Sequence, residues 1–203
     1  MFLKSNVLDV PSDSPVVFYD FDGVFNWHGT SRNQRKKLDD APGYWKRVSV
    51  YAVPPEGATG GWGASGSWYT VEWSGELVHK LKELRKDTNY KWVWLTTWLY
   101  NTDKVDYSLG VESDFTAVWD AYPSKRMTDD ELDAYRYKKK LEFVLDWQKN
   151  NPGVPFVWVD DEATRLWDAD KHSVNPNLVL MPNSDHGLML PEVTQMREFL
   201  TSF

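Results

Sequence analysis

The stretch "VVFYDFDGVFN", residues 16–26, limits what this chain can become more than any other. Four apolar residues followed by Asp20 and Asp22 read as a strand buried on both faces that stops abruptly in charge. Residues two apart along an extended chain point the same way, so both carboxylates face one side of the strand end. Two such groups repel unless a cation offsets them. A strand of this kind belongs in a fold whose strand ends converge on a site.

The pattern recurs along the chain. "KWVWLTTW" reads as a second buried strand, running out into Thr96 and Thr97, and "PFVWVDDE" as a third, ending on Asp160 and Asp161. "NLVLM" is a fourth. Helical patterns lie between them. "SGELVHKLKELRKD" begins at the N-cap residue Ser74 and carries Leu77, Leu81 and Leu84 at helical spacing. "TDDELDAYRYKKKLEFVLDWQKN" is one long helix or two abutting ones, capped near Thr128 and stopped by "NPG", and "LPEVTQMREFLTSF" is a last helix with Pro191 in its first turn. Strands alternating with helices predict an α/β fold, a doubly wound Rossmann-like parallel sheet that binds ligands at the carboxyl ends of its strands. "RVSVYAV" and "SWYTVEW" alternate instead and flank "PPEGATGGWGASG", which predicts a small β-hairpin cap with a long glycine-rich tip. A length of 203 residues suits one domain, 1–203, with this hairpin inside an insert at 27–73.

The chemistry follows from what the strand ends would bring together. Asp20, Asp22, Asp160 and Asp161 offer only hard oxygen ligands, which favour Mg²⁺ with a phosphate oxygen and waters. A carboxylate free of the metal can attack phosphorus, and a second one beside it can protonate the leaving alkoxide and then activate water. The absence of cysteine excludes thiolate metal sites, disulfides and a cysteine nucleophile, and suits a reducing cytoplasm. No secretion-type apolar segment and no membrane-length apolar run is present, so the expectation is a soluble, cytoplasmic protein without a membrane partner. A formal net charge of −7 argues against nonspecific nucleic-acid binding over the whole surface. A local basic group, Arg32, Arg35, Lys36, Lys37, Lys46 and Arg47, reads either as a solvated face or as a phosphate-steering patch. His28, His79, His172 and His186 have no metal-ligand spacing and are assigned none, with His28 and His186 near predicted strand ends where substrate could be touched.

With its order of motifs, the sequence resembles the haloacid dehalogenase-like (HAD) superfamily of phosphohydrolases. "YDFDGVF" is similar to its first motif, "VWLTTW" to its second, a lysine ahead of the third strand to its third, and "VWVDDE" to its fourth. The signatures "W-x-T-T-W" and "W-x-D-D-E", with the late element "MPNSDHGL", resemble the HAD branch associated with RNA-repair systems. The resemblance implies a Mg²⁺-dependent phosphomonoester hydrolase with an aspartyl-phosphate intermediate. Asp20 would be the nucleophile, and Asp22 the general acid and base with its backbone carbonyl toward the metal. Thr96 would hydrogen-bond the phosphoryl oxygens, Asp160 would bind Mg²⁺ directly, and Asp161 would complete the shell or orient a metal water. Gly23 would let the chain turn close to the phosphate, and Thr97 joins it as a substrate contact. The lysine is expected to open a helix with apolar residues three, four and seven positions on. From Lys140 these are Phe143, Val144 and Trp147, whereas Lys138 meets Glu142 at the second position, so Lys140 is chosen and Lys138 held in reserve.

The insert carries Trp45, Tyr51, Trp62, Trp68, Tyr69 and Trp73. Alternation on a hairpin sends one aromatic row down and leaves another for stacking. Stacking on a base contributes roughly 1–3 kcal/mol, which points to a nucleotide or a nucleic-acid end as substrate, with Trp62 in the tip as the chosen contact. The rival readings are a phosphatase of small metabolites such as sugar phosphates, and a non-catalytic phosphate-binding module on the same fold.

Overall fold

The computed structural model of the chain describes residues 14–26, 43, 45–53, 66–121, 123 and 127–203. Its first strand, β1 (Val16–Tyr19), is buried at all four positions. Alternation sorts those positions into two cores: Val17 and Tyr19 belong to one, Val16 and Phe18 to the other. A strand apolar on both faces must lie inside a sheet covered on both sides. β1 is indeed the central strand.

The sheet contains β1, β4 (Lys91–Trp94), β5 (Phe115–Thr116), β6 (Phe156–Val159) and β7 (Asn177–Leu180), in the order β5-β4-β1-β6-β7. Every pairing is parallel. On the Val17 side, Leu77, Val78, Leu81 and Leu84 of α1 (Gly75–Thr88) pack with Val105 and Leu109 of α2 (Thr102–Leu109) and with Val193, Met196 and Leu200 of α5 (Leu190–Leu200). On the Val16 side, Phe143, Val144 and Trp147 of α3 (Asp129–Asn150) close the other layer. The fold is the expected α/β parallel sheet flanked by helices. Trp92, Trp94, Trp147 and Trp158 are fully buried, so much of the tryptophan content is core.

The caps foreseen from sequence form. Ser74 Oγ accepts the Leu77 N–H at 3.1 Å, and Thr128 and Glu131 make a reciprocal capping box at the start of α3, which runs as one helix of 22 residues. The edge strand β5 and the short helices α2 and α4 (Ala169–His172) were not foreseen. Two residues are too few to display a period, and α2 buries only Val105 and Leu109 among its apolar residues while Tyr107 stays 90% exposed.

The hairpin of β2 (Trp45–Ala52) and β3 (Ser67–Ser74) forms a separate antiparallel pair. Val50, Ala52, Val71 and Trp73 face down into the α1-side core, with Tyr69 packed against it. On the opposite face Tyr51 and Trp68 sit in register with ring centroids 5.3 Å apart, and Trp68 is 71% exposed. Lys46 and Arg47 are exposed on β2, whereas Arg32, Arg35, Lys36, Lys37, His28 and Trp62 lie outside the described residues. Among the described residues no helix is long and apolar enough to cross a membrane.

Candidate active site

Strand register brings the site together. Tyr19 is level with Trp94 of β4 and Val159 of β6, so the residues that follow each leave the sheet at one height. The ladder continues one step past the strands: Asp20 N–H donates to Val159 O at 2.9 Å, Leu95 N–H to Tyr19 O at 2.8 Å, and Asp160 N–H to Leu180 O at 3.2 Å. Asp20, Thr96 and Asp160, far apart in sequence, thus emerge at neighbouring carboxyl ends of the sheet.

Helix α3 supplies the cation from the side. Lys140 shares its buried face with Phe143, Val144 and Trp147, at the three, four and seven spacing of a helical stripe. Its side chain, only 3% exposed, donates from Nζ to Asp20 Oδ2 at 2.5 Å and to Asp160 Oδ2 at 2.7 Å. Lys138 instead points outward, 71% exposed, toward Glu142. Burial pulls the Lys140 ammonium down, yet the charges of Asp160 and Asp20 outweigh it and hold the group above its ordinary value.

The carboxylates differ in how they are held. Asp160 is fully buried, and besides Lys140 it accepts the backbone N–H groups of Glu162 and Ala163 at Oδ1, at 3.0 and 2.7 Å. Asp20 accepts the Phe21 N–H at 2.7 Å. Burial first, then the charges of Asp160 and Asp22, push Asp20 up to about 6 against the opposing pull of Lys140. Asp161 has no hydrogen-bond donor among the described residues, and burial followed by repulsion from Asp20 and Asp160 pushes it up to about 8. Oxygens of Asp20, Asp160 and Asp161 all lie within 4.8 Å of one another. One buried ammonium among three carboxylates leaves an excess of negative charge, and a hard divalent cation fits that donor set.

The carboxylate of Asp22 stands outside this cluster. Its Oδ1 accepts from Asn26 Nδ2 and its Oδ2 from Trp98 Nε1, each at 2.7 Å. Gly23 makes the turn between them possible. At φ +69° it adopts a left-handed conformation, and a Cβ there would collide with the Asp161 carboxylate. Thr96 is fully buried and its Oγ1 accepts the Trp98 N–H at 3.3 Å, with Thr97 half-buried on the same turn. The late "MPNSDHGL" element is tied to the same loop, Leu188 N–H donating to Val24 O at 2.9 Å.

Sequence reasoning missed Trp98 and Asn26 as partners of Asp22. Both were visible inside quoted motifs, but an indole or an amide next to an acid is not readable until the turn is known. Of the described histidines, His79 lies on α1 beside Glu83 and His172 accepts the Asp168 N–H, so both have local partners; His186 sits in the turn before Leu188.

A five-stranded parallel sheet whose first strand ends in D-x-D, with a threonine, a helical lysine and a D-D pair at the neighbouring strand ends, defines a HAD-type phosphohydrolase. The chain belongs to the family described as the HAD domain in Swiss Army Knife RNA repair proteins, whose family model matches residues 16–193. No curated protein and no solved structure matches the chain.

Proposed function

We propose that this domain is a Mg²⁺-dependent phosphomonoesterase that removes a terminal phosphate from a nucleic-acid end by way of phospho-Asp20. The observation that carries the reading is the Lys140 ammonium shared between Asp20 and Asp160 with the undonated Asp161 carboxylate beside them. Asp20, Asp160 and Asp161, whose oxygens converge, are the groups that would hold Mg²⁺, and Asp161 is the one with no hydrogen-bond donor among the described residues. When bound, the cation supplies charge neutralisation for the incoming phosphate dianion.

The remaining steps belong to the chain itself. An Asp20 oxygen forms a bond to phosphorus as the bond from phosphorus to the leaving oxygen breaks, and the Asp22 carboxyl gives that oxygen its proton. Lys140 keeps the nucleophile in place and offsets negative charge in the transition state, while the Thr96 hydroxyl and neighbouring N–H groups receive phosphoryl oxygens. Asp22, now ionised, takes a proton from water as the water oxygen attacks the phosphorus of phospho-Asp20, releasing phosphate and restoring the Asp20 carboxylate. Lys140 stays charged at neutral pH, as this role demands.

Support for a nucleic-acid end comes from the family's RNA-repair description and from the hairpin. Tyr51 and Trp68 present flat rings to solvent beside Tyr107 and Lys104, around an open groove of about 850 Å³. Bases stack on such rings with little sequence preference. The test is phosphate release from 3′- and 5′-phosphorylated oligonucleotides, mononucleotides, sugar phosphates and an aryl phosphate, with Asp20→Asn as the blank. Release from an oligonucleotide end that is lost in Asp20→Asn, and weakened in KM alone by Trp68→Ala, supports the reading. Preference for sugar phosphates makes the domain a metabolite phosphatase, and no release from any ester leaves a phosphate-binding module.

A further inference from the structure

We propose that Trp98 and Asn26 are positioning residues for the acid–base carboxylate of Asp22, and that through them the seating of the β2–β3 hairpin governs proton delivery to the leaving group. The inference rests on the phosphomonoesterase reading above and adds how its acid–base step is set.

Both oxygens of Asp22 are fixed, one by the Asn26 amide and one by the Trp98 indole. A lone donor would leave the carboxylate free to rotate about its last bond, whereas two donors on opposite oxygens define its plane. The donors are themselves immobilised, Trp98 being 2% and Asn26 6% exposed.

What immobilises them is the hairpin. Asn26 Oδ1 accepts the Glu72 N–H of β3 at 3.0 Å, so the same amide that donates to Asp22 is anchored on the cap. The Trp98 ring meets the Tyr69 ring of β3 edge to face at 5.6 Å and Phe21 of the first motif at 5.2 Å. Just past the end of β2 a two-way clasp closes on the turn that follows Trp98: Val53 N–H donates to Asn101 Oδ1 and Asn101 Nδ2 to Val53 O, each at 3.0 Å. Lys104 Nζ adds a bond to Tyr51 O at 2.7 Å. The main chain of Trp98 also donates to Thr96 Oγ1, so one residue touches both the phosphoryl-facing hydroxyl and the proton carrier. A hairpin displaced by substrate, or failing to seat, would therefore move Asp22 without touching Asp20 or Lys140.

The experiment reads leaving-group dependence. Trp98→Phe keeps a ring against Tyr69 and Phe21 and removes only the N–H. Its kcat/KM for an alkyl phosphate, whose alkoxide must be protonated, is expected to fall by roughly 10–100-fold, the scale of a misplaced catalytic group. For 2,4-dinitrophenyl phosphate, whose phenolate departs without a proton, kcat/KM changes far less. In an Asp22→Asn background Trp98→Phe adds nothing further. Asn101→Ala, which opens the clasp without contacting Asp22, gives the same pattern at smaller size and serves if Trp98→Phe does not fold. If Asp22→Asn discriminates between the two substrates and both other variants depress them alike or not at all, the inference is overturned while the proposed function stands. If Asp22→Asn itself does not discriminate, the acid–base role of Asp22 falls and the inference with it.

Discussion

Replacing Asp161 with asparagine should make the metal-free protein more stable and less responsive to Mg²⁺. Asp161 is 9% exposed and raised from 3.8 to about 8 by burial and by the charges of Asp20 and Asp160. Four units at about 1.36 kcal/mol each set a ceiling of about 5 kcal/mol for ionising it in place. Solvent still reaches the group, and screening reduces the figure to on the order of 2–3 kcal/mol. The folded value lies above the unfolded one, so the contribution of Asp161 is fully present below about pH 4 and is lost as pH rises through about 8. Asp20, raised to about 6, loses its contribution over the lower part of the same window. Thermal unfolding in EDTA should therefore show the wild type weakening steadily from about pH 4 to about pH 9, and Asp161→Asn levelling off once Asp20 has ionised. At roughly 2–4 °C per kcal/mol, the variant gains about 5–10 °C at the alkaline end. Added Mg²⁺ raises the wild-type Tm most at that end, because protons no longer compete, and raises the variant's much less. Identical EDTA curves for the two proteins would refute the electrostatic argument.

Three further outcomes are expected. Lys140→Met leaves Asp20 and Asp160 buried without their cation, which should cost about 3–5 kcal/mol in urea unfolding as well as turnover; an unchanged midpoint would mean that the pair is not held by this ammonium. Gly23→Ala drives a Cβ into the Asp161 carboxylate from a left-handed backbone, so turnover and the Mg²⁺-dependent rise in Tm should both collapse, and a variant with normal Mg²⁺ titration of activity would contradict that geometry. Excess EDTA should silence phosphate release and Mg²⁺ restore it, since the one ammonium of Lys140 is already shared between Asp20 and Asp160 and leaves a phosphate dianion uncompensated; full activity in EDTA would remove the cation from the reading.

Much of this architecture was legible because the core strands are short apolar runs bounded by polar or turn residues. Val16–Tyr19, Lys91–Trp94, Phe156–Val159 and Asn177–Leu180 were all readable that way, and the hairpin by its alternation. Lys140 could be chosen over Lys138 because the helical stripe below it, Phe143, Val144 and Trp147, has to face the sheet. Which of Asp160 and Asp161 would be held by backbone N–H groups was not legible. Adjacent residues at a strand end leave on different sides, and only the turn into Glu162 and Ala163 decides which carboxylate collects the backbone N–H groups. The indole of Trp98 was equally opaque: as sequence it is one more apolar residue after a strand, and its value lies in the single polar atom it turns toward Asp22.

The central position of β1 also bears on how the chain reaches its native state. Val16 pairs with Lys91 on one side and with Phe156 on the other, so the strand's second neighbour comes from the far end of the sequence. During synthesis, Asp20 and Thr96 are made well before Asp160, Asp161 and Lys140 exist. Until β6 emerges, the uncharged Val-Val-Phe-Tyr strand presents a bare row of N–H and C=O groups, the kind of edge on which chains stick to one another. Closing so distant a pairing is slow. Recovery of the proposed phosphatase activity during refolding should accordingly lag behind recovery of helical signal, and fragments that stop short of Phe156 should precipitate rather than accumulate in a partly folded form.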